Sequence, residues 1–501
     1  MKIAVEGCCH GELDKIYETL QFLEKKENIK IDLLLCCGDF QAVRNETDLQ
    51  CMAVPPKYRH MQTFYKYYSG EKKAPVPTVF IGGNHEASNH LWELPYGGWV
   101  APSIYYLGYS GVVTFGGYRI AGLSGIYKKH DYLKGHFECP PYDGSSIRSA
   151  YHIRNIDVFK LKLLSQPLDI MLSHDWPLGI YHHGNVQKLY RHKSFLKEEI
   201  ESNTLGSPPA AELLEVLQPD YWFSAHLHVK FPALVPHGVS GGSRVTKFLA
   251  LDKCLPKRDF LQVLDLGCAK GPMELHYDTE WLSITRLTNE LINFSQNYTH
   301  LPLSSTEIEI YKPSSSQVQE MLRMLNNELK IPENFVKTVP PYDPSQPKKR
   351  TIPKQHVNPQ TIQFCEMLGG MENPFAVEEV SKKVTPNNPD EIDLGDDVDD
   401  DEIADGSIKS PLGNSDEIDL NDEDDEDQMD PGDIKTYKRG PSSDDMNDSY
   451  DVSNEMGIND LAQESDSLQS TTDSIEPPKK TFKLVRRNQT LYESHDCDDS
   501  G

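Results

Sequence analysis

Seven side chains able to hold metal ions fall in five short blocks between Cys8 and His228. The blocks are Cys8-Cys9-His10, Gly38-Asp39, Gly83-Asn84-His85-Glu86, Ser173-His174 and Ala225-His226-Leu227-His228. They offer a thiol (Cys8), a carboxylate (Asp39), an amide oxygen (Asn84) and the imidazoles of His10, His174, His226 and His228. The oxygens of one carboxylate can bridge two cations. Thiolate is soft and suits zinc or iron(II), whereas a carboxylate in its place would suit manganese or magnesium. A bound cation keeps a coordinating thiol deprotonated. The chemistry such a set can do is activation of water and neutralisation of charge on an electrophile. One histidine taken alone is more often a satisfied core residue; seven ligand types at strand ends are not explained that way. His182-His183 reads instead as a solvated loop pair, and Cys36 and Cys37, closing an apolar run, as packing residues.

These blocks need elements to position them. Lys2–Val5, Ile31–Cys36, Thr78–Ile81 and Asp169–Leu172 are short, mostly apolar runs that read as buried strands. Tyr221–Ser224 and Lys247–Leu251 add two more. Val112–Phe115 and Tyr118–Leu123, joined at Gly116-Gly117, read as a hairpin. Leu13, Ile16, Tyr17, Leu20 and Leu23 recur at helical spacing between the first two strands. Every ligand block then lies just past the C-terminal end of a strand, the edge where open α/β sheets build their sites. Cys8 and His10, two apart, leave one face while Cys9 leaves the other.

The blocks resemble, in order and spacing, those of the calcineurin-like metallophosphoesterases. Where that superfamily has Asp-x-His, this chain has Cys8-Cys9-His10. With Gly38-Asp39-Phe40-Gln41, Gly83-Asn84-His85-Glu86-Ala87 and Ser173-His174-Asp175-Trp176-Pro177, it is similar to the lariat debranching family. The resemblance implies an α/β fold: a metallophosphoesterase β-sandwich flanked by helices (α/β/β/α). It places the catalytic domain at 1–250, a lariat recognition loop at 124–155 and a C-terminal domain at 236–371. It implies two divalent metals, one held by Cys8, His10, Asp39 and His228, the other by Asp39, Asn84, His174 and His226. Zinc or iron(II) is expected, with manganese able to substitute. A hydroxide would attack the phosphorus in line, and His85, beside a ligand but not one itself, is the candidate general acid. Glu86 either orients His85 or caps the following helix. The implied reaction is hydrolysis of the 2′–5′ phosphodiester at the branch of excised intron lariats. A phosphatase or nucleotide phosphodiesterase of the same fold is the competing enzyme reading, and Cys8 counts against it. A non-catalytic scaffold would have no need of the complete ligand set.

The stretch from Ser124 to Asn155 interleaves cations with aromatic rings, the composition that backbone-plus-stacking recognition of single-stranded RNA needs. Its expected RNA contacts are Lys128, Lys129, Tyr132, Arg148, Tyr151, His152 and Arg154; a mobile polar insertion is the alternative. Lys57, Tyr58, Arg59 and Tyr65 form a lesser mixed patch.

The 501 residues carry a formal charge of −27, which at first argues against a nucleic-acid partner. Yet Asp390–Asp433 holds 21 acidic residues and one basic, so −20 of that charge sits there and −7 remains on the other 457 residues. From Glu372 to the end, acidic runs with repeated Asp-Glu-Ile-Asp-Leu read as a disordered tail. On charge grounds that tail suits binding proteins or limiting non-specific RNA contact rather than holding RNA; the resemblance makes splicing or RNA-turnover factors the expected partners. Between about Pro236 and Met371 the pattern supports a small α+β accessory domain with a strand near Phe260–Leu266, a helix over Val318–Leu329 and another closing Pro353–Gly370. Ten cysteines without small-scaffold spacing suit a reducing compartment. The N-terminus lacks a signal-peptide core, and no apolar run reaches the roughly 20 residues that span a bilayer. A soluble intracellular protein without a membrane partner is expected. Lys348-Lys349-Arg350 and the cluster Lys479-Lys480 to Arg486-Arg487 suit nuclear import, with ordinary solvated charge as the alternative.

Overall fold

The computed structural model describes residues 1–238, 244–346, 351–371 and 373. Apart from Asn373, the tail lies outside them, as do both basic clusters. Thirteen strands among the described residues form two sheets. The first contains β1 (Lys2–Glu6), β2 (Leu33–Cys36), β3 (Thr78–Phe80), β4 (Gly98–Ala101) and β5 (Ile104–Tyr106). The second contains β6 (Ser110–Phe115), β7 (Tyr118–Leu123), β8 (Ile170–Ser173), β9 (Tyr221–Ser224), β10 (Phe231–His237) and β11 (Arg244–Ala250). β12 (Leu261–Asp265) returns to the first sheet and β13 (His276–Tyr277) to the second. The orders are β12-β1-β2-β3-β5-β4 and β10-β11-β9-β8-β7-β6-β13. In each sheet the central strands run parallel, β1-β2-β3-β5 in one and β7-β8-β9-β11 in the other.

Alternation along the strands assigns the two faces of the first sheet. Ile3 and Val5 point into a core shared with Ile120, Ile170, Leu172 and Phe223 of the second sheet. Ala4, between them, points into a core with the helix α1 (Leu13–Glu27), whose Leu13, Ile16, Tyr17, Leu20 and Leu23 are all buried. Helix 208–217 buries Ala210, Leu213 and Leu214. The result is the expected sandwich of two sheets flanked by helices. Past the end of β1 the faces exchange parity: Cys8 joins the inter-sheet core with Ile3 and Val5, and Cys9 the helical one with Ala4. The predicted hairpin is β6 and β7, turning at Gly116 and Gly117 with φ of 59° and 77°.

The C-terminal segment contributes a strand to each sheet. β12 pairs antiparallel with β1, and β13 with β6. The helix Pro359–Met367 places Phe364 and Cys365 in a core with Trp92 and Tyr96. Gln360 brackets the Trp99 backbone, accepting from its N–H at 2.8 Å and donating to its carbonyl at 2.9 Å. The helix expected over Val318–Leu329 spans Ser315–Met324 instead. Asn326 and Asn327, with φ of 52° and 60°, end it in the left-handed region that asparagine tolerates.

Candidate metal centre

β1, β2 and β3 of one sheet and β8 and β9 of the other deliver the five blocks from their C-terminal ends. The exit loops are unusual in backbone conformation. His10, Asp39, Gln41, His226 and His228 all have positive φ, between 45° and 64°. Each such non-glycine residue costs about 1–2 kcal/mol, a cost that clusters where geometry is functional. Two glycines are needed for close approach. A Cβ on Gly38 would lie 2.3 Å from His174 Nδ1, and one on Gly83 2.2 Å from Asp39 Oδ1.

Cys8, His10, Asp39 and His228 converge, with one ligand atom from each lying within 4.8 Å of the others. His10 Nε2 is 3.2 Å from His228 Nε2 and 3.8 Å from Asp39 Oδ2. The other carboxylate oxygen of Asp39 faces a second cluster: His174 Nε2 lies 3.3 Å from it and 3.2 Å from Asn84 Oδ1. Asp39 thus sits between two donor sets, one oxygen toward each. The His226 ring lies 5.0 Å from that of His174, and its backbone N–H donates to Cys8 Sγ at 3.2 Å. His85 is half-buried, its ring 5.2 Å from that of His10, and its backbone N–H donates to Asp39 Oδ1 at 2.8 Å.

The charges at this edge favour cations. Burial alone would raise the Asp39 carboxyl, but the imidazoles of His174 and His85 outweigh it and hold Asp39 well below its ordinary range. Burial would lower His174; Asp39 overcomes that and raises it. Burial holds His10 and His226 down to about 3, so both present neutral, ligand-competent rings. The Cys8 thiol is pushed well up by burial and then by Asp39 and Glu6, so a coordinated cation is what would make it a thiolate. His174 Nδ1–H donates to the Cys37 carbonyl at 2.8 Å, which fixes the tautomer leaving Nε2 for a metal. The donor set therefore fits two divalent ions sharing Asp39.

Glu86 neither orients His85 nor caps a helix. Its carboxylate accepts from the N–H groups of Phe40 (2.7 Å), Gln41 (2.9 Å) and Gly83 (3.0 Å), tying the Asp39 loop to the Asn84 loop. The following helix α2 (Ser88–Trp92) begins without a side-chain cap. Neither this brace nor the place of Gln41, whose amide nitrogen is 3.1 Å from His10 Nδ1, follows from the sequence pattern alone. A polar residue two positions past Asp39, on the same exit loop, was the available signal. Cys36 and Cys37 are buried and His182 and His183 exposed.

The insertion leaves β7 beside the centre. Gly82 N–H donates to Ser124 Oγ and Gly125 N–H to the Gly82 carbonyl, at 3.0 and 2.8 Å; Tyr127 N–H donates to Asp175 Oδ2 at 3.3 Å. Its expected RNA contacts divide in two. Lys129 and Arg148 are exposed, while Lys128, Tyr132 and Tyr151 are half-buried. Arg154 and His152 are corrected: both are buried and serve as frame. Arg154 is 0 % exposed and donates to Glu138, to the Ser149 carbonyl and to the Asp131 carbonyl. His152 Nδ1 lies 2.6 Å from Asp131 Oδ2. An ionic side chain so enclosed cannot reach a polyanion outside. In the lesser patch, Lys57 lies over the Tyr58 ring and Arg59 donates to the Val54 carbonyl. Among the described residues no helix is long and apolar enough to cross a membrane.

Residues 1–230 match the family described as calcineurin-like phosphoesterase, and residues 243–374 match the lariat debranching enzyme C-terminal domain. Curated relatives carry the name lariat debranching enzyme. The chicken (Gallus gallus) protein is 54% identical over 446 residues, covering 81% of this chain and 83% of its own. The human protein is 61% identical over 375 residues, 74% and 69% of the two chains. The Arabidopsis thaliana protein is 55% identical over 370 residues, 74% and 86%.

Proposed function

The chain belongs to the lariat debranching enzymes, and from that premise we propose that it hydrolyses the 2′–5′ phosphodiester at the branch of intron lariats, leaving linear RNA. The observation that carries the reading is Asp39, placed between the Cys8-His10-His228 donors and the Asn84-His174 donors. Two divalent ions bound there would supply an acidified water and neutralise charge on the phosphate. The chain's own residues do the rest. Asp39 spans the two positions and Cys8 contributes the soft donor, which favours zinc or iron(II) in the first, with manganese as a substitute. His85, next to Asn84 but outside both donor sets, gives a proton to the departing 2′-oxygen. Lys128, Lys129, Tyr132, Arg148 and Tyr151 hold RNA on either side of the branch by charge and stacking. The acidic tail, like-charged to RNA, serves protein contacts, and the basic clusters direct the chain to the nucleus.

Offering the purified protein a synthetic branched RNA beside its linear 3′–5′ isomer tests the reaction. Cleavage confined to the branch supports it; equal cleavage of both, or of neither, refutes it. Elemental analysis tests the metals: Cys8→Ser is expected to lose zinc or iron and Cys8→Asp to shift toward manganese. Unchanged metal content in both would refute Cys8 as a ligand. A reporter fused to residues 340–501 tests localisation, with cytoplasmic retention counting against the import signals.

A further inference from the structure

His10 and His174 both face the centre through Nε2, but their other nitrogens are held differently. His174 Nδ1 meets a backbone carbonyl, that of Cys37, which can only accept. His10 Nδ1 meets the Gln41 side chain, which can accept or donate. A neutral imidazole has one N–H and one lone pair. If the Gln41 amide nitrogen donates to Nδ1, the proton of His10 sits on Nε2, aimed at His228 Nε2 3.2 Å away, and Nε2 cannot bind a cation. A half-turn of the amide puts its oxygen against Nδ1–H and frees the Nε2 lone pair toward Cys8, Asp39 and His228. The terminal amide torsion is soft, so the turn needs no movement of the backbone.

That backbone is held in place. Gln41 is 7 % exposed, sits at φ 55° and donates its N–H to Glu86 Oε2 at 2.9 Å. The same carboxylate holds Gly83, so the amide is anchored to the loop that carries Asn84 and His85. We propose that Gln41 is a positioning residue that selects the metal-binding tautomer of His10 through its amide oxygen. This rests on the reading of Cys8, His10, Asp39 and His228 as one metal set. The Gln41 side chain is thereby an adjustable element in that set, where His174 has a fixed one.

Cobalt(II) titration of the full chain tests this, because the thiolate-to-cobalt charge-transfer band reports the ion bound by Cys8. Gln41→Leu keeps the bulk and removes the acceptor; it is expected to weaken cobalt binding about 10–100-fold, the usual worth of such an outer partner, with the band itself unchanged. Gln41→Glu can only accept and is expected to bind at least as tightly as the parent. Parent-like affinity in Gln41→Leu, or a loss in Gln41→Glu as large as in Gln41→Leu, overturns the proposal. Should Gln41→Leu fail to fold, Gln41→Glu decides it alone: retained affinity supports the proposal and a tenfold loss refutes it. A parent protein with no charge-transfer band would overturn the Cys8 metal set and this inference with it. A band with affinity indifferent to Gln41 would overturn the inference alone.

Discussion

The metal rim and the insertion beside it use similar residue types to opposite ends. At the rim, buried histidines and a buried carboxylate aim their donor atoms into a common space. In the insertion, buried His152, Arg154 and Asp131 aim theirs at one another and close the segment on itself. Polar side chains taken from water must be paired. At the rim the pairing is left for cations; in the insertion most of it is made internally, although Arg154 Nε has no hydrogen-bond partner among the described residues. The lesson is that a charged or ligating side chain near a site is functional only when its surroundings leave its polar atoms something to do.

The sharpest way to break this contrast is at His85, on the rim but in neither donor set. His85→Ala is expected to lower turnover on branched RNA by about 10²–10⁴-fold, the usual worth of a general acid, with metal content and RNA affinity unchanged. A small activated diester such as bis-p-nitrophenyl phosphate, whose leaving group needs no proton, should lose far less. Loss of a metal from this variant would place His85 among the ligands instead.

The insertion's frame predicts a stability effect. Arg154→Met leaves Glu138 buried without its partner and is expected to destabilise the fold by about 3–5 kcal/mol, the usual consequence of breaking a buried pair, measured by chemical denaturation. If stability holds while RNA binding falls, Arg154 belongs with the RNA contacts after all.

A buried histidine away from the rim gives a pH test. Burial holds His90 down to about 3, with its Nδ1 against the Ala42 carbonyl at 2.8 Å. The unfolded chain titrates near 6.5. Below that pH the unfolded state binds the proton and the folded state does not, so this contribution is complete above pH 6.5 and lost as pH falls toward 3. Between pH 7 and 5 the loss is about 2 kcal/mol. His90→Asn should flatten the acid slope of stability by about that amount; an unchanged slope would show that His90 titrates normally.

The smallest effect is expected at Arg148, exposed on the same short helix, Ser146–Ser149, whose last carbonyl anchors Arg154. Arg148→Ala should change stability by less than about 0.5 kcal/mol. It should weaken branched-RNA binding across sequences and reduce the salt slope by about 1. An equal loss on the small diester would make the segment structural rather than a grip on RNA.

Much of the catalytic half was legible because its signals are local. The strands carry near-continuous apolar runs, and the ligand types follow them at once. Boundaries slipped where the cause lies elsewhere in space. β2 begins at Leu33 rather than Ile31, where Asp32 N–H donates to the Lys2 carbonyl. β4 and β5 were not anticipated, since runs as short as Gly98–Ala101 and Ile104–Tyr106 resemble any loop rich in aromatics. The C-terminal segment supported no more than a small α+β domain because its own pattern is weak. It is completed by partners more than 200 residues away, such as Trp99 for Gln360 and Arg44 for Thr338.

Which residue types could hold metal, and that they follow strands, is determined by the sequence alone, since strand periodicity and ligand chemistry are properties of neighbours along the chain. Only the tertiary structure decided that Asp39 divides its oxygens between two donor sets, that Glu86 ties two loops, and that Arg154 faces inward. Those outcomes depend on which chain segments the two sheets bring within about 3 Å of one another, the range of a hydrogen bond, and no local pattern records that distance.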